Sequence, residues 1–435
     1  MNGLKEIARR IISLAQAQGA DCAQCTVRES TKEEFNMDGG RFSLMRTLFD
    51  REVSVTVLKG GRKGAVSINR FDEDALKAAV GQCIAAGESA EPDPNWEFAA
   101  GPKAMSWVDG APECDREALF ERTRELAKDV AERHPKIMIE QMINSHDRAH
   151  TVYLNSNGVS YERVSGSYGF DLMYSAHEGE KGSSFFGSGV ILKTLDRPVI
   201  DCGAIERELK AVEQQIETKP MEGKFVGTAV LAPGALGGIV LGTVLDNFVS
   251  DASLIEGTSI WKDKLGQQVA DERLTISFTP RSADVVAGQR YTGEGYLAEN
   301  FDMIRNGKLE SFCLSQYGAN KTGGRRAGCD AGGWNITIPG GERSLDGIIA
   351  GIDRGILVMR FSGGEPASSG EFSGVAKNSF LIENGRITGA LSETMISGCV
   401  PDMLNAIRDI SSDVDRDGNS SLPYIAFDGI TISGK

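Results

Sequence analysis

The sequence contains few histidines and places none of them in its second half. Only four occur among 435 residues, and the last of them is His177. The common ligand sets of catalytic zinc contain imidazole, usually beside a carboxylate that serves as general base. The second half of the chain therefore cannot supply the imidazole ligands of a zinc hydrolase.

Positive charge and long apolar runs are also scarce. The chain has 47 Lys and Arg against 61 Asp and Glu, a net charge of −14, and no basic block offsets this excess. Because an acidic surface repels a phosphate backbone, we expect no direct binding to nucleic acid. No apolar run approaches the ~20 residues that a membrane-spanning helix needs, so we expect no membrane association.

Cysteine is spread thinly, with eight residues and no disulfide-rich cluster. Arg9 and Arg10 lie inside an amphipathic helical pattern, and no apolar core of a signal peptide follows them. These features are typical of a cytoplasmic protein in a reducing compartment.

The hydrophobic pattern changes period along the chain, which predicts an α+β fold in three regions. Residues 1–90 are predicted to form an N-terminal α/β hairpin unit. Residues 91–222 are predicted to form a strand-rich middle domain, entered through a Pro-rich linker at 88–113. Residues 223–435 are predicted to form a Gly-rich, β-dominated C-terminal domain.

Several elements can be placed within these regions. A hairpin is predicted at 51–70, where Val residues alternate with polar ones around a Gly-rich turn. Short strands with turn signals are predicted over 136–195. Helices are predicted at 2–18, 72–87, 114–133, 203–217, 344–352 and 402–411.

Two short motifs imitate metal or redox sites. His146 and His150 have the spacing of a zincin helix, but strand-type residues flank them, and we interpret them as histidines of a surface turn. Cys22 and Cys25 have CxxC spacing in a predicted strand, where positions three apart face opposite sides. A structural role is favoured for both cysteines.

An acidic segment near the C-terminus matches the start of a calcium-binding loop. Asp413, Asp415 and Asp417 occupy ligand positions one, three and five, and a glycine follows at position six. The twelfth position, which should be a bidentate Glu, is Tyr424. The alternative is a polar turn that follows the predicted helix at 402–411.

Residues 225–259 read FVGTAVLAPGALGGIVLGTVLDNFVSDASLIEGTS, a strand, a turn and a helix. This segment resembles the metal-binding helix of the TldD/PmbA family, the so-called modulators of DNA gyrase. Catalytic members of that family carry H-E-x-x-x-H on this helix, and the matching positions fall near Leu241, Gly242 and Asp246. Leucine and glycine can neither bind zinc nor act as a base, so the resemblance implies a helix whose metal chemistry has been lost.

The resemblance extends over nearly the whole chain. It includes NSNG at 155–158, TGG at 322–324, IxxPGG after Asn335 and FLIENGRITG at 380–389. Catalytic members place a third zinc ligand, a cysteine, in the C-terminal stretch, and nothing after Cys399 could serve here. The resemblance thus describes residues 223–435 as a relic metalloprotease domain.

This resemblance implies a non-catalytic, PmbA/TldE-like subunit of a zinc metalloprotease that processes unstructured peptides. No cofactor is expected in this chain, and zinc is expected in a TldD-type partner subunit. The two would form a heterodimer or larger assembly, and the chain alone could form a homodimer, most simply through the C-terminal domain. An extended peptide would bind along a sheet edge. The expected cleft residues are Leu241, Gly242, Asp246, Gly323, Gly324 and Arg325.

Two other functions remain open at this stage. A self-sufficient metallopeptidase could use a divergent metal site, either His146 with His150 or the loop at Asp413. A non-proteolytic binding protein could instead regulate a partner. A TldD-like reading frame in the same genome would favour the subunit role, and metal analysis of the purified chain would separate the metallopeptidase.

Overall fold

The chain builds two large mixed sheets, which a computed structural model describes over residues 3–364, 366–392 and 394–434. The first sheet has eight strands between residues 22 and 192, and the second has twelve strands between residues 218 and 433. Helices pack against both sheets, so the predicted α+β class is confirmed. No helix in the described residues is long and apolar enough to cross a membrane.

The first sheet has the strand order β3-β2-β1-β5-β6-β4, and β7 and β8 pair with β6. Its elements and the helices around it are α1 (Leu4–Ala17), β1 (Cys22–Asp38), β2 (Arg41–Lys59), β3 (Arg62–Ile68), α2 (Glu73–Glu88), β4 (Lys103–Gly110), α3 (Arg116–Arg133), β5 (Ile137–Asn155), β6 (Val159–Glu178), β7 (Lys181–Gly182), β8 (Phe186–Leu192), a 3₁₀ turn (Val199–Asp201) and α4 (Ile205–Glu213).

Local sequence explains the first helices. In α1 the apolar residues recur at helical spacing, so Leu4, Ile7 and Ile11 are all buried on one side. In α2 the Asp72 side chain accepts a hydrogen bond from the Ala75 N–H, which caps the helix as predicted. In the first sheet, α1 packs on β1 and β5, and α2 packs on β2 and the edge strand β3.

The second sheet has the order β13-β12-β11-β14-β20-β10-β15-β16-β17-β9, with β18 beside β16 and β20 and with β19 beside β20. Its elements are β9 (Thr218–Pro220), β10 (Lys224–Leu231), α5 (Pro233–Leu236), α6 (Asp251–Ile255), β11 (Ile276–Phe278), β12 (Phe301–Arg305), β13 (Lys308–Leu309), α7 (Gln316–Thr322), β14 (Ile336–Thr337), α8 (Leu345–Ile349), β15 (Arg354–Gly363), β16 (Glu371–Glu383), β17 (Arg386–Ser392), β18 (Thr394–Cys399), α9 (Val400–Asn405), β19 (Ile407–Arg416) and β20 (Ser421–Ser433).

Two Asn-Gly pairs of the second sheet form hairpin turns. Asn306 and Gly307 have φ values of 48° and 74°, and Asn384 and Gly385 have φ values of 50° and 75°. Positive φ at two successive positions is the signature of a type I′ turn, for which Asn-Gly is the preferred sequence. These turns join β12 to β13 and β16 to β17.

Two predicted elements differ from the structure. The segment 88–113, interpreted as a linker or an edge-hugging connection, contains β4, which pairs in parallel with β6 at the edge of the first sheet. Prolines flank this strand, three before it and Pro112 after it, and they obscure the strand pattern. The helix predicted over 402–411 ends at Asn405, and Ile407 begins β19. Ile407 and Ile410 are buried by pairing with β20, a long-range contact that overrides the local helical pattern.

The strands between 136 and 195 are longer than their turn signals indicate. β5 has 19 residues and β6 has 20, and they pair along nearly their full length. β1 pairs with β5 over Gln24–Asp38. The regions predicted as 1–90 and 91–222 therefore share one continuous sheet.

Candidate functional site

The helix that follows β10 is wider than a normal α-helix. After α5 it continues into two π-helical stretches, Gly237–Leu241 and Val244–Phe248. The Gly242 N–H donates to the Gly237 carbonyl, and the Val249 N–H donates to the Val244 carbonyl at 3.2 Å. Because these bonds join residues five apart, positions with that spacing fall on nearly the same side. We call residues 233–248 the wide helix.

The wide helix forms one wall of a cavity of about 530 Å³. Leu241, Gly242 and Asp246 all line this cavity, so the structure brings these three expected cleft residues together. The opposite wall comes from Cys313, Ser315, residues 329–333 and Ile336. We call this space the helix cavity.

Hydrogen bonds fix the polar floor of the helix cavity. The Asp251 carboxylate accepts from the Ser315 N–H at 2.9 Å and from the Ser315 Oγ at 2.5 Å. Ser250 caps α6 by accepting from the Ser253 N–H at 3.2 Å, and its hydroxyl donates to the Asp246 carbonyl at 2.7 Å. The end of the wide helix is thereby tied to α6, which in turn holds the start of α7.

A third carboxylate, Asp330, lies on the opposite wall. It accepts from Gln289 Nε2 at 2.6 Å and from the Gly293 N–H at 2.9 Å. Burial raises the pKa of Asp330 above its ordinary value. Its partners both belong to the loop 286–299, so this loop supports the cavity wall.

The two cysteines of the cavity are not activated. Burial raises the pKa of Cys329 to about 12 and also raises the pKa of Cys313. Both thiols therefore stay protonated at neutral pH, whereas zinc binding and nucleophilic attack require the thiolate.

The side chains present do not fit a catalytic zinc ion. The cavity has three carboxylates, Asp246, Asp251 and Asp330, and no imidazole. Two of these carboxylates already accept hydrogen bonds from neighbouring groups. Over residues 3–364, 366–392 and 394–434, no group of three or more His, Cys, Asp or Glu side chains is placed to hold a metal ion.

The segment that follows α7 contributes to a different cavity. Gly324 and Arg325 line a space of about 1350 Å³, together with residues 299–302 and 310–312. Gly323 has φ 70° and ends α7 in a left-handed conformation that favours glycine. Five of the six predicted cleft residues thus divide between two spaces, and Gly323 lines neither of them.

The acidic segment at Asp413 forms a strand end and a turn instead of a calcium loop. The Asp413 carboxylate accepts from the Leu345 N–H at 2.6 Å, and Asp415 pairs with Arg207. Asp417 accepts from the Ser420 N–H at 2.7 Å within the turn between β19 and β20. The three carboxylates therefore contact three different elements, namely α8, α4 and the turn itself.

The interpretation of His146 and His150 as surface turn residues is wrong. Both lie in the middle of β5, and His146 is buried with its Nε2 donating to the Ala111 carbonyl at 2.6 Å. His150 Nε2 donates to Glu162 at 2.8 Å. Four residues along a strand span about 13 Å, so these two imidazoles cannot share one metal ion. Cys22 and Cys25 lie in β1, as predicted.

An ion cluster that the sequence does not predict joins the two halves of the chain. Asp109 at the end of β4 accepts from Arg163 Nε at 2.7 Å and from Arg290 Nε at 3.1 Å. Arg290 belongs to the loop 286–299, which also holds Asp330. No pattern in one sequence marks this contact, because the charged residues of an acidic chain are numerous and these partners lie far apart.

A second missed contact fixes the proline-containing segment before β4. The Trp96 ring stacks on Tyr317 of α7 with 3.8 Å between ring centroids. Asp93 forms an ion pair with Lys321 of the same helix at 2.7 Å. Lys321 holds the pKa of Asp93 well below its ordinary value. The proline-containing segment is therefore attached to α7, next to the helix cavity.

Comparison with known proteins identifies the family of this chain. Residues 223–434 match the model of the PmbA/TldA metallopeptidase C-terminal domain, and residues 25–87 match that of PmbA/TldA metallopeptidase domain 1. The metalloprotease PmbA of Escherichia coli O157:H7 is 23% identical over 446 residues, which cover 99% of this chain and 96% of that protein. The chain belongs to the PmbA/TldD metallopeptidase family.

Solved structures share the whole fold. TldE from Thermococcus kodakarensis superposes with a TM-score of 0.86 at 21% identity, over 98% of this chain and all of that one. A Thermotoga maritima protein described as a modulator of a DNA gyrase superposes with a TM-score of 0.82 at 18% identity, over 99% of this chain and all of that one. These likenesses establish the fold.

Proposed function

We propose that this chain is the non-catalytic, PmbA/TldE-type subunit of a zinc metalloprotease complex whose TldD-type partner carries the metal. The observation that supports this most is the lining of the helix cavity. Leu241, Gly242 and Asp246 line this cavity. The family resemblance puts the two imidazoles and the general base of catalytic members near these three residues. The wide helix and its cavity are present, while no imidazole lines the cavity to hold a zinc ion that would activate water.

The role left to this chain is to hold an extended peptide. A volume of about 530 Å³ is typical of a small-ligand site and accommodates a few side chains of a peptide. Its wall is formed mainly by Leu241, Leu245 and Ile336, and its carboxylates face the same space. Such a wall favours apolar side chains flanked by amide or amino groups that donate hydrogen bonds.

The chemistry must then come from a second subunit. A catalytic zinc site needs three protein ligands and an open position for water. The alternative metal sites in this chain, His146 with His150 and the segment at Asp413, are not supported by the geometry. All eight cysteines are free thiols, which favours assembly of the complex in the cytoplasm.

The test is reconstitution with a TldD-type chain that carries H-E-x-x-x-H. We expect the two chains to copurify and to hydrolyse an unstructured peptide, and we expect Gly242→Phe in this chain to reduce that hydrolysis at least about tenfold by filling the cavity. The matched control is Gly238→Phe on the same helix. Gly238 is exposed, and a side chain added there meets no neighbour.

Three results would contradict the proposal. The chains could fail to associate, or the isolated chain could hydrolyse the peptide by itself. Association with full activity of the Gly242→Phe complex would show that the helix cavity does not contact the substrate, and it would favour a purely regulatory role.

A further inference from the structure

The cavity beside the C-terminal end of α7 has no part in the function proposed above. Its volume is about 1350 Å³, which exceeds the roughly 300–1000 Å³ of most small-molecule sites. Its lining comes mainly from α6 and the loop after it, from residues 299–302 and 310–312, and from the segment after α7. We call this space the second cavity. A space of this size suits a stretch of polypeptide better than a single small molecule.

Positive charge is in excess around the second cavity, although the chain as a whole is acidic. The lining holds five basic side chains against three acidic ones, whereas the net charge of the chain is −14. The basic residues are Lys262, Arg305, Lys321, Arg325 and Arg326, and the acidic residues are Glu299, Asp302 and Glu310. A local excess of cations within an anionic surface directs an acidic ligand to this place.

Two of these cations are available to a ligand. Arg305 and Lys321 already form ion pairs within the chain, at 2.5 Å and 2.7 Å. Lys262 and Arg325 are exposed, and neither pairs with a carboxylate among the residues that the structure describes. Lys262 belongs to the loop after α6 and Arg325 to the segment after α7, so the two can bind separate acidic groups of one ligand.

Apolar side chains also line the second cavity. Phe301 and Phe312 are half-buried there, and Leu265 is 53% exposed. Phe301 is held in place by stacking on Phe278, with 5.1 Å between the ring centroids. A purely ionic ligand would leave these side chains in water, whereas a peptide with an apolar residue between its acids would cover them.

The second cavity and the helix cavity are neighbours that share three walls. α6 contributes Asp251 to the helix cavity and Leu254 to the second cavity. The segments 312–313 and 328–329 likewise give one residue to each cavity. Because an extended chain advances about 3.3 Å per residue, a peptide seated in the helix cavity places residues a few positions further along beside the second cavity.

We infer that the second cavity binds an acidic segment of the peptide substrate. Lys262 and Arg325 each pair with an Asp or Glu side chain of that segment, and an apolar side chain between the two acids covers Leu265. The inference rests on the proposed function, because the helix cavity is taken to hold another part of the same peptide.

The carboxylates of the lining favour a peptide over a nucleic acid. Glu299 and Glu310 are exposed at the second cavity. The backbone N–H groups of a peptide can donate to these carboxylates, whereas the phosphate groups of a nucleic acid are repelled by them.

Binding of a labelled peptide to the isolated chain tests the inference. The probe is a short, unstructured, fluorescein-labelled peptide with Glu-Leu-Glu-Phe-Glu at its centre, and the matched probe replaces each Glu with Gln. We expect fluorescence anisotropy at low salt to show at least about tenfold tighter binding of the acidic peptide, and we expect salt to reduce the difference. The net charge of the chain opposes this preference, so nonspecific attraction cannot produce it.

Charge reversal locates the site. Lys262→Glu with Arg325→Glu should weaken binding of the acidic peptide at least about tenfold and leave binding of the Gln peptide nearly unchanged. The matched control is Lys224→Glu with Arg386→Glu, which changes the net charge equally at two exposed residues that line neither cavity. It should bind the acidic peptide nearly as the wild type does. All four side chains are exposed, so both variants should keep the wild-type melting temperature.

An alanine variant tests the apolar contact. Leu265→Ala should weaken binding of both peptides about threefold, because it removes apolar surface that the peptide covers. The control is Ile387→Ala on β17, where the native side chain is 40% exposed, and it should bind both peptides as the wild type does. Full affinity of Leu265→Ala would contradict the placement of the apolar side chain.

Three results would overturn the inference as a whole. The acidic and Gln peptides could bind equally, or the Lys262 and Arg325 double variant could bind as tightly as the wild type or no more weakly than its control. A single-stranded oligonucleotide could bind more tightly than the acidic peptide, which would assign the cavity to nucleic acid. These measurements use no TldD-type subunit. Their failure would therefore contradict the role of the second cavity alone, whereas failure of the two chains to associate would contradict the subunit role.

Discussion

The ion cluster at Asp109 predicts how firmly the wall of the helix cavity is held. Asp109 is 12% exposed and binds Arg163 of β6 and Arg290 of the loop 286–299. Burial opposes ionisation of Asp109, yet Arg290 and Arg163 together hold its pKa below the ordinary value. Asp109→Asn keeps the shape of the side chain and removes its charge, which leaves two guanidinium groups without their shared partner.

The free-energy cost of Asp109→Asn can be worked out from the exposed fractions of the two arginine side chains. Removing one member of a fully buried pair costs about 3–5 kcal/mol. Here the side chains of Arg163 and Arg290 are 21% and 30% exposed, so water can solvate both guanidinium groups and offset part of that cost. We expect a cost of about 2 kcal/mol for local opening of the loop. Since about 1.4 kcal/mol is a factor of ten, amide exchange there should accelerate about 30-fold.

Hydrogen–deuterium exchange with mass spectrometry on peptides covering 286–299 measures this directly. The matched control is Glu121→Gln, which breaks a pair with Arg124 whose side chains are 49% and 66% exposed, and which should change nothing measurable. Because the folded pKa of Asp109 is lowered, its contribution is present above the unfolded pKa and is lost as pH falls through the folded value. Unchanged exchange at 286–299 in Asp109→Asn at pH 7 would refute the reasoning.

Three further predictions concern the interior and the helix cavity. Burial raises the pKa of Glu208, so the contribution of Glu208 to stability falls as pH rises through the shifted range. Glu208→Gln should therefore raise the melting temperature at pH 8 more than at pH 4. An equal gain at both pH values would contradict this. Phe248→Ala empties a fully buried site and should cost about 3–5 kcal/mol in a denaturant titration, whereas a loss below about 1 kcal/mol would show that the wide helix is not packed as described. Replacing Leu241, Gly242 and Asp246 with His, Glu and His should give weak zinc binding and no peptide hydrolysis above background. A third ligand is missing, and so are the hydrogen-bonding partners that would orient the new ligands. Chelator-sensitive hydrolysis by this variant would show an otherwise intact site.

Elements governed by local pattern could be predicted from the sequence. The helices α1 and α2 and the hairpin of β2 and β3 follow from amphipathic spacing, an Asp N-cap and a Gly-rich turn. The two Asn-Gly turns follow from their need for positive φ. In each case the residues that decide the structure lie within a few positions of one another.

Elements that depend on pairing between strands distant in the chain could not be predicted from the sequence. β19 carries a helix-like pattern locally, but β20 pairs with it and buries Ile407 and Ile410. β4 follows a proline-rich stretch and becomes a strand because β6 offers an edge. His146 lies in a polar run that resembles a turn, yet β1 and β6 flank it on both sides. Long-range hydrogen-bond ladders determine all three.

The candidate site was predictable only in part. Resemblance to a family placed Leu241, Gly242 and Asp246 on one helix, and the structure shows that they line one cavity. The widening of that helix has no local sequence signal, apart from its glycines. The opposite wall, residues 329–333, is brought there by tertiary packing. Gly324 and Arg325 line a second cavity nearby.

The central claim is that this chain lacks its own catalytic metal and depends on a TldD-type partner. Metal analysis of the purified chain, paired with a peptide hydrolysis assay on the same sample, tests it most directly. The account predicts far less than one zinc per chain and no hydrolysis. One tightly bound equivalent of zinc together with hydrolysis, both lost on replacing His146 and His150, would contradict it.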